Sequence, residues 1–143
     1  MTRIVEVRTP SRLHFGLSSL GNAERRFGGL GAMLQEEGIL LRISSADHFQ
    51  VQGLQRIEYF ARSFAKQQQL ATLPACKIEV VYHPPEHTGL GLGTQLGLAT
   101  VVGLSEWLGL PWRDAERLSQ ISGRGQRSAV GTHGFLHGGL IVD

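Results

Sequence analysis

The chain has 143 residues, 41% hydrophobic and 18% charged, which suits one domain with a real core and argues against disorder. Its net charge of +2 hides a bias of twelve arginines to two lysines, but no basic run or aromatic–basic interleaving points to nucleic acid. A single cysteine, Cys76, excludes an internal disulfide and a cysteine metal cluster, and no apolar run is long enough to span a membrane. With no signal peptide at its start, the chain is expected in the cytoplasm.

Residues 2–9 alternate Ile4, Val5 and Val7 with Arg3, Glu6 and Arg8, which predicts a strand ended by Pro10. Ser11 to Leu17 predicts a second strand, with Leu13, Phe15 and Leu17 on one face and Arg12 and His14 on the other. That polar pair is either an exposed hairpin face or a pair set over a ligand. Gly21 to Arg26 is loop-like, and Phe27 to Leu34 returns to a strand. Arg25-Arg26 before glycines could touch an anion, although a solvated turn explains it as well.

Ile39–Ser44 and His48–Val51 predict two short strands around the turn cluster Ser44 to Asp47. Leu54 to Leu70 carries Leu54, Ile57, Phe60, Ala61, Phe64 and Ala65 at helical spacing, so an amphipathic helix should pack on the sheet. Cys76 to Tyr82 predicts a strand, and Cys76 reads as a core residue. Thr94 to Leu108 predicts a helix, apolar nearly all round, ended by Gly109-Leu110-Pro111. Trp112 to Ile121 predicts another, with Asp114 in its first turn. Residues 123–134 read as a Gly-rich loop and Phe135 to Val142 as a last strand. Strands mostly early and helices late make the class α+β, a mixed sheet with helices packed on one face.

The chemistry concentrates between the predicted strand and the apolar helix, in Pro85-Glu86-His87-Thr88-Gly89-Leu90-Gly91-Leu92-Gly93-Thr94-Gln95. Glycines at 89, 91 and 93 clear one side of the turn, so backbone N–H groups can meet a ligand. Thr94 stands where an N-cap would, and a helix start favours an anion. Neither the P-loop nor the dinucleotide pattern fits the glycine spacing. Far along the chain, Gly123-Arg124-Gly125-Gln126-Arg127-Ser128 offers two guanidinium forks with little bulk around them.

Pro85-x-x-x-Gly89-Leu90-Gly91 followed by a small-residue helix resembles the phosphate-binding motif of the GHMP kinase superfamily. Three stretches are similar, more narrowly, to the beta-ribofuranosylaminobenzene 5'-phosphate synthase family: Pro10 to Gly16, His87 to Gln95, and Gly123 to Thr132. The resemblance runs from about residue 3 to the end. It implies a GHMP-kinase-type N-terminal domain over 1–143, a ribosomal-protein-like βα fold, with the family's second domain without counterpart here. It implies condensation of 5-phosphoribosyl-1-diphosphate with 4-aminobenzoate or 4-hydroxybenzoate, releasing carbon dioxide and diphosphate, in methanopterin biosynthesis. Magnesium is the implied cofactor, although no carboxylate cluster that would bind it is visible.

On that reading Gly89, Gly91, Leu92, Gly93, Thr94 and Gln95 bind phosphate. Arg124, Arg127, His14 and His87 are the catalytic candidates. Arg12, Arg26 and Ser128 meet substrate. Leu92 and Gly93 stand where the superfamily's kinases carry two serines, which weighs against phosphoryl transfer. The alternatives are an ATP-dependent small-molecule kinase, or a non-catalytic phosphate-binding module. The partner is expected to be a small phosphorylated molecule, with a homodimer or a second chain supplying the missing domain.

Overall fold

The computed structural model describes residues 2–19, 27–123 and 130–142. Its elements are β1 (Ile4–Ser19), β2 (Phe27–Ser45), β3 (Gln50–Gln52), α1 (Arg56–Gln67), β4 (Cys76–Tyr82), α2 (Leu92–Leu108), α3 (Ala115–Ser122), α4 (Val130–His137) and β5 (Leu140–Val142). The class is α+β, as strands mostly early and helices late implied. β2 is the spine of the sheet. It pairs antiparallel with β1 along one edge and, along the other, with β4 at Leu40–Ser45 and β5 at Leu30–Ala32. β3 lies beyond β4 and runs parallel to it, so the sheet is mixed.

The elements differ from those predicted in three places. Pro10 does not end β1, because the strand passes through it with register shifts on both sides. Proline lacks the N–H a ladder needs, and the pairing slips rather than stops. Phe27 to Leu34 and Ile39 to Ser44 are not separate strands but parts of one, β2. β3 crosses to the far side of β4, and α1 makes the crossover that a parallel pair requires. Phe135 to Val142 is not one strand: α4 runs to His137, and Gly138 (φ 66°) and Gly139 (φ 77°) turn the chain into the short β5. The glycines that made 130–134 look like a loop let the helix pack closely, Gly134 on Met33 of β2 and Gly131 on Thr94 and Arg12. Val130 occupies the space a β-carbon on Gly31 would need. Tertiary contact here overrides a poor helix propensity.

The core sits between the sheet and α2. Val7, Leu41, Ile43 and Ile78 from the sheet meet Leu96, Leu98, Val101 and Leu104 of α2, all buried. α2 lies against β1 and β2, with α1 packed on it in turn. Its glycines set the spacing. A β-carbon on Gly97 would stand 2.9 Å from the Phe60 ring of α1, and one on Gly103 would stand 2.8 Å from Ile43 Cδ1. Cys76 is fully enclosed, and burial pushes its thiol up to about 11, so it stays a neutral core side chain.

From Ile39 to Ile43 the side chains of β2 alternate. Ile39, Leu41 and Ile43 point into the core, while Arg42 on the outer face takes Glu6 of β1 at 2.8 Å. β1 changes sides across its register shifts: Val7 and Thr9 face in before them, and Arg12 pairs with the inward-facing Met33 after them. That slip puts Arg12 on the same side as α2 and α4.

Candidate functional site

The site begins where β4 runs out. His83 Nδ1 lies 2.6 Å from the carbonyl of Pro84, and Thr88 Oγ1 donates to the carbonyl of Pro85 at 2.9 Å, which folds the segment into a turn. Gly89 (φ 76°) and Gly91 (φ 72°) then take left-handed conformations that other residues reach only with strain. His87 takes one too, at φ 60°. Gly91 is the N-cap of α2, and no side chain caps that end. The helix therefore starts two residues before the predicted Thr94. Thr94 is inside it rather than capping it, because a left-handed glycine makes the entry turn without a side-chain oxygen.

The first intrahelical bond runs from Gln95 N–H to the Gly91 carbonyl at 3.0 Å. The amides of Leu92 and Gly93 come before it and have no carbonyl within the helix to meet. They carry the positive end of the helix dipole, which favours an oxyanion. Both glycine bends and these amides open into a pocket of about 280 Å³ lined by Arg12, Arg56 and the run Glu86 to Thr94.

Arg12 is fixed to this bend from the other side of the molecule. Its N–H donates to the Leu90 carbonyl at 2.9 Å. Its side chain crosses Gly91 so closely that a β-carbon there would stand 2.6 Å from Nε. α4 completes the seam. A β-carbon on Gly131 would stand 2.6 Å from Thr94 Cγ2 and 2.9 Å from Arg12 Nη1, and Gln95 Nε2 donates to the Gly131 carbonyl at 3.5 Å. Thus β1, the β4–α2 turn and the start of α4 meet around one guanidinium.

Of the residues singled out from sequence, Gly89, Gly91, Leu92, Gly93, Thr94, Arg12 and His87 line one pocket. Gln95 is buried and turned to α4 instead. His14 lies two residues past Arg12, opposite Gly31, and does not line the pocket. Arg26, Arg124, Arg127 and Ser128 lie outside the described residues. Four pocket residues were not among those candidates: Arg56, Glu86, Thr88 and Leu90. Glu86 had no partner pattern to mark it. Arg56 read as ordinary surface, and only the packing of α1 on α2 brings it over the bend. Among the described residues no group of three His, Cys, Asp or Glu is placed to hold a metal, and no helix is long and apolar enough to cross a membrane. Asp114 is the N-cap of α3, accepting from Arg117 N–H at 2.7 Å, rather than a first-turn residue.

Comparison with known proteins gives consistent results. Residues 55–139 match the family described as GHMP kinases N terminal domain. The chain is 38% identical over 143 residues to the beta-ribofuranosylphenol 5'-phosphate synthase of Archaeoglobus fulgidus and 36% identical over 150 to that of Methanothermobacter thermautotrophicus. These alignments take in 98% and 96% of this chain but 45% of each relative, so the chain spans under half the length of the curated relatives it matches. Among solved structures, a putative sugar kinase from Campylobacter jejuni superposes with a TM-score of 0.74 at 14% identity, over 99% of this chain and 58% of that one. Streptococcus pneumoniae phosphomevalonate kinase gives 0.70, also at 14%, over 97% and 47%. At such identities the superpositions speak for the fold alone.

Proposed function

The chain belongs to the GHMP kinases N terminal domain family, and from that premise we propose that it is the phosphate-gripping part of a beta-ribofuranosyl 5'-phosphate synthase. In this reading 5-phosphoribosyl-1-diphosphate and a 4-substituted benzoate condense. The ring carbon bearing the carboxylate bonds to the anomeric carbon, the bond from that carbon to diphosphate breaks, and carbon dioxide leaves with its bonding pair staying in the ring. The relatives' name specifies a phenol product, which favours 4-hydroxybenzoate over 4-aminobenzoate. The observation that carries the proposal is the uncapped start of α2 at Gly91, with Arg12 held across it.

The residues then divide the work. Charge grows on the diphosphate as it departs. The Leu92 and Gly93 amides and the Arg12 guanidinium stand where that charge would form, and one such donor typically contributes about a hundredfold in rate. Arg124 and Arg127 enter the proposal on sequence grounds as further forks, with Ser128 and Arg26 as substrate contacts. His14 and His87 enter on the same grounds as proton carriers. Magnesium enters as the counter-ion of the diphosphate. The pocket offers it Glu86 and the Thr94 hydroxyl, too few ligands for a resident site but enough to meet a hydrated ion on phosphate oxygens. The buried Leu92 supplies no hydroxyl where the superfamily's kinases carry a serine, which supports the synthase over the kinase.

The remaining partners in this proposal are protein. A second copy, or a chain supplying the rest of the relatives' length, would cover the apolar outer face of β1, β2 and β5. The setting is cytoplasmic. The test is incubation with 5-phosphoribosyl-1-diphosphate and carboxyl-labelled 4-hydroxybenzoate. Enzyme-dependent release of labelled carbon dioxide supports the synthase. ATP consumption on a sugar or isoprenoid alcohol, with no label released, would replace it with the kinase.

A further inference from the structure

We infer that Arg56 reads the length of the phosphate chain, gripping the far phosphoryl group of a diphosphate whose near group sits on the Gly91 bend. The inference rests on the reading of that bend as an oxyanion site and adds to it the residue that selects two phosphates over one.

The geometry starts from the contact of α1 with α2. Phe60 sits against Gly97. Arg56 lies one helical turn before Phe60, and Gly93 one turn before Gly97. Arg56 and Gly93 line the same pocket, so both helices begin at the same end of the molecule. Arg12 reaches that bend from β1, tied down by its backbone bond to Leu90. The two arginines come from separate elements, β1 and α1, and line the same pocket as the first residues of α2.

Several other arginines are engaged, although the exposed Arg117 offers only its backbone N–H, to Asp114. Arg42 pairs with Glu6, and Arg62 pairs with Glu58. Arg3 donates to the Glu106 carbonyl and lies over Trp107, and Arg113 lies over Trp112. Among the described residues no hydrogen bond or ion pair engages the Arg56 guanidinium. Glu58, two residues on, turns to Arg62 and not back to it. Glu86 shares the pocket yet makes no ion pair with it. A single phosphate on the bend needs one fork and the helix amides. A second, displaced fork adds binding only to an anion long enough to reach it.

The experiment is calorimetric titration of the chain with inorganic diphosphate and, separately, inorganic phosphate, for the wild type, Arg56→Gln and Arg56→Lys. The expected result is a wild-type preference for diphosphate. Arg56→Gln should lose about tenfold in diphosphate affinity with phosphate affinity changed less than about twofold, and Arg56→Lys should recover part of the loss. Equal affinities for diphosphate in wild type and Arg56→Gln, or equal losses for both anions, would overturn the inference while leaving the bend as an oxyanion site. A wild type that binds neither anion overturns the oxyanion reading itself, and this inference with it. Arg56 is exposed, so matched melting curves separate lost binding from lost fold.

Discussion

The two ends of the β1–β2 ribbon are made of the same two strands and finished differently. At the near end Val7, Leu41 and Ile43 are buried under α2, and the outer face carries the Glu6–Arg42 pair. At the far end α4 covers the inner side, while the outer face presents Leu13, Leu30 and, on β5, Leu140 and Val142, with Phe15 at the bulge beside them. Those five are 37%, 40%, 67%, 76% and 58% exposed, a density of apolar surface rare on a face that meets only water. The near end holds most of the buried core, the far end carries the larger share of exposed apolar side chains, and Arg12 of the pocket sits just past the point where one passes into the other. Pro10 is the joint, because its register shifts turn Arg12 inward at that point.

The largest effect that would test this division is in the near core. Leu41→Ala should cost about 2–5 kcal/mol, since the side chain is fully enclosed between sheet and α2. Chemical denaturation should show a lower midpoint with an unchanged slope. If Leu41→Ala were no more costly than Leu30→Ala, the near end would not be the part that holds the fold, and the contrast would fail.

A smaller effect is expected at the joint. Gly91→Ala forces a left-handed φ on alanine and sets a β-carbon against Arg12. The strain should cost about 1–2 kcal/mol. For a domain of this size that is a melting shift of several degrees. Displacing Arg12 should lower diphosphate affinity about tenfold. A variant that melts early yet binds normally would separate the bend's structural part from its binding part and remove Arg12 from the site.

Much of the fold was legible because its signals were local. The strand at Cys76–Tyr82, the helical spacing of Ile57, Phe60, Ala61 and Phe64, and the glycine turn before α2 appear where the residues put them. What could not be read depends on contacts between distant segments. The helix at 130–137 packs with Gly134 against Met33 of β2 and Gly131 against Thr94 and Arg12, and no residue near it announces that. Arg56 becomes a pocket residue only through Phe60 meeting Gly97. Alternation from Arg12 to Phe15 separated the polar pair from the apolar one but not which one turns inward, and the register shift between His14 and Gly16 breaks the alternation before Leu17. Apolar Leu13 and Phe15 face out, and Arg12 and His14 are the more covered pair.

That inversion gives the prediction with the smallest effect on stability and the sharpest bearing on the comparison. Phe15→Asp with Leu140→Asp puts two carboxylates on the far outer face and removes nothing from the core. Exposed substitutions of this kind usually shift stability by less than about 0.5 kcal/mol each, so the melting temperature should hardly move. Self-association should change instead. Burying several large apolar side chains yields about 25 cal/mol per Å², and the only protein available to cover them in a solution of this chain alone is another copy. Sedimentation at tens of micromolar should therefore give dimers or larger species for the wild type and monomer for the double variant. A wild type that stays monomeric over that range would show that water tolerates this face, and the two ends of the ribbon would then differ in composition without differing in role.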